Sequence, residues 1–181
     1  MKVKAFKILM TIFLLQFIAS CCNNVKFYDF DKMITRLSST NIALKDTLNI
    51  TISPVGIKFM SLNLQNMGFS SAMAFDCDDG WGGMKFPFEK IEITSNNNFD
   101  SNHLSNQMLN DLFKLKKYKG YDKAGDNFDL VPINLSDINF GEINLVLSGR
   151  PKIVKKHIFK IRLVKSNKEE IVIETNEIEW Y

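Results

Sequence analysis

The chain has 181 residues, of which 23 are Lys or Arg and 20 are Asp or Glu, and its formal net charge is +3. The first 20 residues contain three lysines and no acid, so the remaining chain has 20 residues of each sign. Nucleic acid binding depends on a positive surface, and a neutral chain gives no reason to expect it. The length suits one domain with a sizeable core.

The N-terminus has the pattern of an export signal. Lys2, Lys4 and Lys7 precede the largely apolar run 8–19. A bilayer-spanning helix needs about 20 apolar residues, so this run is too short for a permanent transmembrane helix. The pattern predicts that residues 1–20 form a signal peptide.

Two adjacent cysteines follow the signal. The order IASC at residues 18–21 resembles the lipobox of bacterial lipoproteins, in which the cysteine thiol carries diacylglycerol. The resemblance implies that Cys21 is the lipidated mature N-terminus, that residues 21–26 form the tether, and that no cofactor other than this lipid is needed. The alternative is an ordinary secretory peptide with incidental cysteines. Cys22 and Cys77 then remain, and they are either one disulfide in an oxidising compartment or free thiols.

Beyond the tether, most of the chain has the period-two pattern of β-strands. Residues 26–37 fit a strand or a short helix, and we favour a strand. Pro54 and Pro87 predict strand edges or bends. Further strands are predicted at Leu48–Ser53, Gly56–Asn63, Phe86–Thr94 and Ile143–Ser148.

The loop Asp76–Gly83, DCDDGWGG, is the most unusual local composition in the chain. Asp76 and Asp78 could supply the first ligands of a calcium loop, although the EF-hand pattern fails further along. Trp81 could instead form an apolar platform for a sugar or peptide, with Asp78 and Asp79 accepting hydrogen bonds. We favour a third interpretation, an acidic turn whose tryptophan folds back onto the domain.

One segment, Leu104–Tyr118, has apolar residues at intervals of three and four and lysines near its end. This spacing predicts one short amphipathic helix that caps the sheets.

The C-terminal region is predicted to be an antiparallel hairpin. Phe159, Ile161 and Leu163 alternate with basic residues in the first strand, and the second strand spans Ile171–Trp180. The basic block 150–168 contains eight Lys and Arg residues and is followed by the acidic block 169–181, which contains five acids. We expect these blocks to pair with each other rather than with a partner.

Catalytic motifs are sparse. His103 and His157 are the two histidines, and we expect both to be solvated. The sequence lacks the H-E-x-x-H, G-x-S-x-G and glycine-rich phosphate motifs. We therefore predict no catalytic residues. The alternative, a small envelope hydrolase, would require Cys77 and a histidine, or several carboxylates, to converge in a cleft.

Together these elements predict a mainly β domain at residues 27–181, a single antiparallel β-sandwich of roughly immunoglobulin-like type. The segment Ser71–Phe113 is similar to the central signature of an uncharacterised family of Bacteroidetes-type lipoproteins, in its cysteine, its strand IEITSNNNF and its LNDLF stretch. The resemblance implies a protein of the bacterial cell envelope, lipid-anchored at the outer membrane on either face. We expect a non-catalytic binding or structural module whose partner is a glycan or a protein.

Overall fold

The computed structural model describes residues 26–61, 81–118, 128–135, 138 and 141–181. As the sequence predicts, these residues are mainly β, and they contain fourteen strands and one 3-10 turn at Asn110–Leu112. In this part of the chain no helix is long and apolar enough to cross a membrane. The strands are β1 (Lys26–Asp29), β2 (Lys32–Leu37), β3 (Asn41–Ile42), β4 (Asn49–Val55), β5 (Lys58–Ser61), β6 (Trp81–Met84), β7 (Phe88–Ser95), β8 (Phe113–Tyr118), β9 (Phe128–Pro132), β10 (Ile143–Leu147), β11 (Lys156–His157), β12 (Phe159–Lys165), β13 (Glu170–Glu174) and β14 (Ile178–Trp180).

The described residues form two compact units. One includes residues 26–28, 59–61 and 81–83, which belong to a three-stranded sheet of order β5-β1-β6. The other includes residues 29–58 and the described residues from 84 to 181. Its three sheets have the orders β2-β4-β10-β8-β9, β11-β14-β3 and β13-β12-β7. Their neighbouring strands are antiparallel except β3 and β14, which pair in parallel and so depart from the wholly antiparallel prediction.

The five-stranded sheet has a core face and an outer face. Leu145 of β10 lies opposite Ile50 of β4 on one side and opposite Leu115 of β8 on the other, and all three residues are buried. Adjacent residues of a strand point to opposite faces, so Lys114 and Asn144 belong to the outer face. The core face consists mainly of β-branched and leucine side chains, which pack well on a pleated surface.

The predicted strands correspond closely to observed ones. Residues 26–37 form β1 and β2, and the candidates at 48–53, 56–63, 86–94 and 143–148 correspond to β4, β5, β7 and β10. Pro54 lies in β4 beyond Ile52, the last residue that pairs with β10, so only β2 flanks it. Pro87 lies just before β7 begins. Both prolines therefore occupy the edge or end positions that a residue without a backbone N–H tolerates.

The C-terminal hairpin is confirmed. Ile161 lies opposite Ile173 and Leu163 opposite Ile171. Lys160 lies opposite Glu174, whereas the sequence alone left open whether Lys160 or Arg162 takes this position. The strand predicted at 171–180 is divided, because β13 ends before Thr175 and β14 begins at Ile178.

The basic and acidic blocks pair with each other, also as predicted. The Arg162 guanidinium donates to both carboxylate oxygens of Glu170 and, at 2.6 Å, to Glu92. Its two carboxylate partners hold the pKa of Arg162 above its usual value, and in return Arg162 lowers the pKa of Glu170. Lys156 lies 3.4 Å from both Glu177 and Glu179.

The helix predicted at Leu104–Tyr118 is wrong. The 3-10 turn at Asn110–Leu112 is followed by β8, in which Phe113 and Leu115 are buried and Lys114 is exposed. The Asn110 side chain accepts from the N–H of Ile93 at 2.9 Å and donates to the carbonyl of Ile91 at 2.8 Å. This amide ties the segment to β7 and satisfies backbone groups there, so tertiary pairing overrides the helical spacing.

A fully buried lysine joins the hairpin to Asp29 and Phe30. Lys165 has no exposed surface, and its ammonium donates to Asp29 at 2.8 Å, to Glu169 at 3.1 Å and to the backbone carbonyl of Phe30. The ammonium also lies 4.7 Å from the centroid of the Phe30 ring. A buried cation needs such partners, because burial without them costs several kcal/mol.

Candidate ligand groove

An open groove of about 460 Å³ lies beside the outer face of the five-stranded sheet. It is lined by residues 44–47 of the loop after β3, by Lys114 of β8, by Leu130 of β9 and by residues 146–150 at the end of β10. We call this feature the basic groove. Its volume is in the range of small-molecule and peptide side-chain pockets.

Strand register places the sheet residues of the basic groove. Val146 lies directly opposite Lys114, and Leu130 lies opposite Lys116 on the next pair of strands. Residues that lie opposite each other share a face, so Lys114 and Val146 project away from the core side chain of Leu115. Val146 forms a buried apolar floor, and Leu130 is 43% exposed.

The loop wall of the basic groove is pinned by an arginine. The Arg150 guanidinium donates to the backbone carbonyls of Ala43 at 2.5 Å, Ile42 at 3.2 Å and Tyr181 at 3.3 Å. The N–H of Asp46 donates to the Ala43 carbonyl at 3.0 Å and closes a turn. Leu44 lies inside this turn, yet its side chain is 80% exposed. A fixed backbone therefore presents a bare leucine to the solvent.

The charge balance of the basic groove is positive. Among the described residues, three cationic ones, Lys45, Lys114 and Arg150, line it together with one acid, Asp46. Arg150 is occupied by carbonyl groups. Lys45 and Lys114 are exposed and make no ion pair within the described part of the chain. These two ammonium groups are the charges that the groove offers to a ligand.

His157 is buried, so the prediction that it is solvated is wrong. Its Nε2 donates to the Val154 carbonyl at 2.8 Å, which leaves Nδ1 to accept from the Ser95 hydroxyl at 2.7 Å. Burial lowers the pKa of His157, although the bond to the Val154 carbonyl acts in the opposite direction. The ring contacts Phe99 and Trp180, with centroids 5.4 Å and 5.5 Å away. This neutral histidine belongs to the core, because neither it nor Ser95 is open to a substrate.

His103 is also not freely solvated, since its side chain is only 16% exposed. Its Nδ1 lies 2.8 Å from Asp100 and its Nε2 lies 3.0 Å from Asp111. The hydrogen bond with Asp100 is the main cause of the raised pKa of His103, and it lowers the pKa of Asp100 in turn. The imidazole ring of His103, with a carboxylate at each nitrogen, thus cross-links residues of the loop between β7 and β8. None of the three residues lines the basic groove.

The sequence-predicted site residues lie mostly outside the described residues. Cys21, Cys22, Cys77 and the three acids of the loop are among them: Asp76, Asp78 and Asp79. Trp81 is the first residue of β6, so the predicted loop passes into a strand before its end. Within the described ranges no group of three or more His, Cys, Asp or Glu residues could hold a metal ion.

A comparison with protein-family models and with curated proteins found no match to this chain. Sequence reasoning did not identify the basic groove, whose residues come from four separate segments. The one signal for it was the basic block 150–168, of which only Arg150 reaches the groove.

Proposed function

We propose that this chain is a lipid-anchored protein of the bacterial cell envelope that acts as a non-catalytic binding module and receives its ligand in the basic groove. One observation carries the proposal. The exposed Leu44 and Leu130 line the groove together with two cations, Lys45 and Lys114, that make no ion pair with the described residues. Exposed apolar surface rimmed by polar groups marks interaction sites and ligand-binding grooves.

The anchor rests on the sequence. The lysine-rich start, the short apolar run and the IASC order at residues 18–21 support lipidation of Cys21. Attachment to a membrane through several acyl chains is firm, whereas one chain alone binds only marginally. Lipidation would hold the binding module at the envelope surface, and the outer membrane is the expected location.

The proposed scaffold is a β-sandwich, roughly immunoglobulin-like. Support comes from the apolar faces of two sheets in the second unit. Phe113 of β8 and Phe159 of β12 belong to different sheets, and their rings meet edge to face with centroids 5.4 Å apart. Aromatic pairs of this geometry are common between packed layers.

The non-catalytic part of the proposal is supported by the two histidines. His157 and Ser95 are buried, and the two ring nitrogens of His103 lie on the carboxylates of Asp100 and Asp111. A general base has to lie within hydrogen-bond reach of a substrate proton. The rival hypothesis, a small envelope hydrolase, has no comparable observation in its favour.

The anchor is tested by metabolic labelling with a fatty acid. Cys21→Ala should abolish acyl labelling and signal processing, while the matched variant Cys22→Ala should keep both. Labelling that persists in Cys21→Ala would refute the assignment.

The groove is tested by binding of envelope glycan and protein fractions to the full chain. Lys114→Glu should weaken retention, and Lys160→Glu, which changes an exposed lysine on β12, should not. Equal retention by both variants would exclude the groove as the site. Turnover of an ester, amide or glycoside substrate would instead favour the hydrolase.

A further inference from the structure

Leu44 is organised for binding before any partner arrives. Two Arg150 hydrogen bonds hold the carbonyls of Ala43 and Ile42, the two residues before Leu44. The hydrogen bond from the Asp46 N–H to the Ala43 carbonyl closes the turn that contains Leu44. An exposed side chain on a fixed backbone loses little conformational entropy when it is covered. Such preorganisation of the backbone lowers the entropic cost of covering Leu44.

The walls of the basic groove select the chemistry of the ligand. The apolar side chains on its side of the sheet and loop, Leu44, Leu130 and Val146, are aliphatic, and none of the described residues that line it is aromatic. Sugar rings are recognised largely through flat aromatic platforms, which this lining does not provide. Aliphatic walls suit an aliphatic side chain instead, and Lys45 and Lys114 suit carboxylates.

The position of Lys114 favours an extended peptide segment, rather than a membrane surface, as the ligand of the groove. Lys114 projects from the sheet face at a central strand, β8, which has neighbours on both sides. A lipid surface contacts the outermost groups of a protein. A narrow extended chain can enter the open groove and reach both the loop and the sheet face.

We infer that the basic groove binds an extended acidic segment of a partner protein, in which an aliphatic side chain packs against Leu44 and Leu130 while flanking carboxylates pair with Lys45 and Lys114. This inference rests on the proposed function and specifies the ligand of the same site. Charge complementarity and the fixed leucine are the observations that lead to it.

The test uses the full chain in nanodiscs of phosphatidylcholine and a displayed library of random peptides. Peptides enriched on the wild type should combine Asp or Glu with Leu, Ile or Val. Their affinity should fall by about tenfold in Lys45→Glu, in Lys114→Glu and in Leu44→Ala, and should fall with added salt. The controls are Lys160→Glu and Val172→Ala, which change exposed residues of the β13-β12-β7 sheet. Both variants should bind as the wild type does.

Enriched peptides that lack acids, or affinities that Lys45→Glu and Lys114→Glu leave unchanged, would overturn the inference. Two further probes separate it from the proposed function. If alginate or phosphatidylglycerol vesicles bind through Lys45 and Lys114 while acidic peptides do not, the peptide inference is wrong and the groove remains a binding site. If none of the three probes binds in a way that depends on these lysines, both the inference and the groove as the binding site are wrong.

Discussion

Replacing the buried Lys165 by methionine should be among the most damaging single changes in the chain. Methionine keeps an unbranched apolar side chain that extends as far as Cε and removes the ammonium. Asp29, Glu169 and the Phe30 carbonyl then lose the donor that they share. Asp29 retains a bond from the Phe30 N–H at 2.8 Å.

The expected magnitude follows from the exposure of these partners. Removing one member of a buried ion pair costs about 3–5 kcal/mol, because the other charge is left without compensation. The Glu169 side chain is 39% exposed and can turn to water, whereas that of Asp29 is only 15% exposed. We therefore expect a loss near the lower end, about 3 kcal/mol.

Urea denaturation of the chain without its first 20 residues measures this loss. With a slope of about 2 kcal/mol per molar, the midpoint should fall by about 1.5 M. Lys160→Met is the matched control, because Lys160 lies on the same strand with its side chain exposed. Its midpoint should change by less than about 0.25 M, which corresponds to about 0.5 kcal/mol. A loss below about 1 kcal/mol in Lys165→Met would refute the reasoning.

Three further outcomes are expected. Ile161→Ala removes a fully buried side chain and should cost about 2–5 kcal/mol in the same urea assay, so a loss below about 1 kcal/mol would mean that the facing of β12 is wrong. Because Asp100 raises the folded-state pKa of His103, the stability that this pair contributes is complete below the unfolded value of about 6.5 and is lost as the pH rises through the folded value. The melting-temperature difference between wild type and His103→Gln should therefore shrink towards about pH 9, and a constant difference would contradict the ion pair. Trp81→Ala should leave the melting temperature nearly unchanged if the tryptophan is a contact residue, whereas a core role predicts a loss of about 3–5 kcal/mol in the free energy of unfolding. If the loop binds calcium, added calcium should raise the melting temperature of the wild type.

Period-two patterns made much of the fold predictable. In the C-terminal hairpin, Ile161 and Ile173 could be assigned to one face, which left Lys160 or Arg162 opposite Glu174, and the structure has Lys160 there. Buried and exposed faces alternate clearly there, so a slip of one residue would expose the whole core face.

The helix could not be rejected from sequence, because its evidence was ambiguous. Phe113 and Leu115 fit both a helical stripe and a strand that alternates with Lys114 and Lys116. Strand pairing decided between them, through bonds from Asn110 to β7 that lie 17 and 19 residues apart along the chain. Local spacing contains no information about such distant partners.

The polar sites were unpredictable for a related reason. His157 follows several exposed lysines, and its burial depends on Ser95, which is 62 residues away. Burial of Lys165 depends on acceptors from Phe30 and Asp29, which are 135 and 136 residues away. The basic groove likewise exists only after β3, β8, β9 and β10 are assembled.

Amide hydrogen exchange of the full chain, with and without the tightest peptide from the display experiment, tests whether the ligand binds in the basic groove. Protection on binding should be confined to residues 43–50, 112–116, 128–132 and 144–150, which form and support the basic groove. Protection that maps instead to the acidic loop Asp76–Gly83, with no change around Lys45 and Lys114, would contradict this prediction.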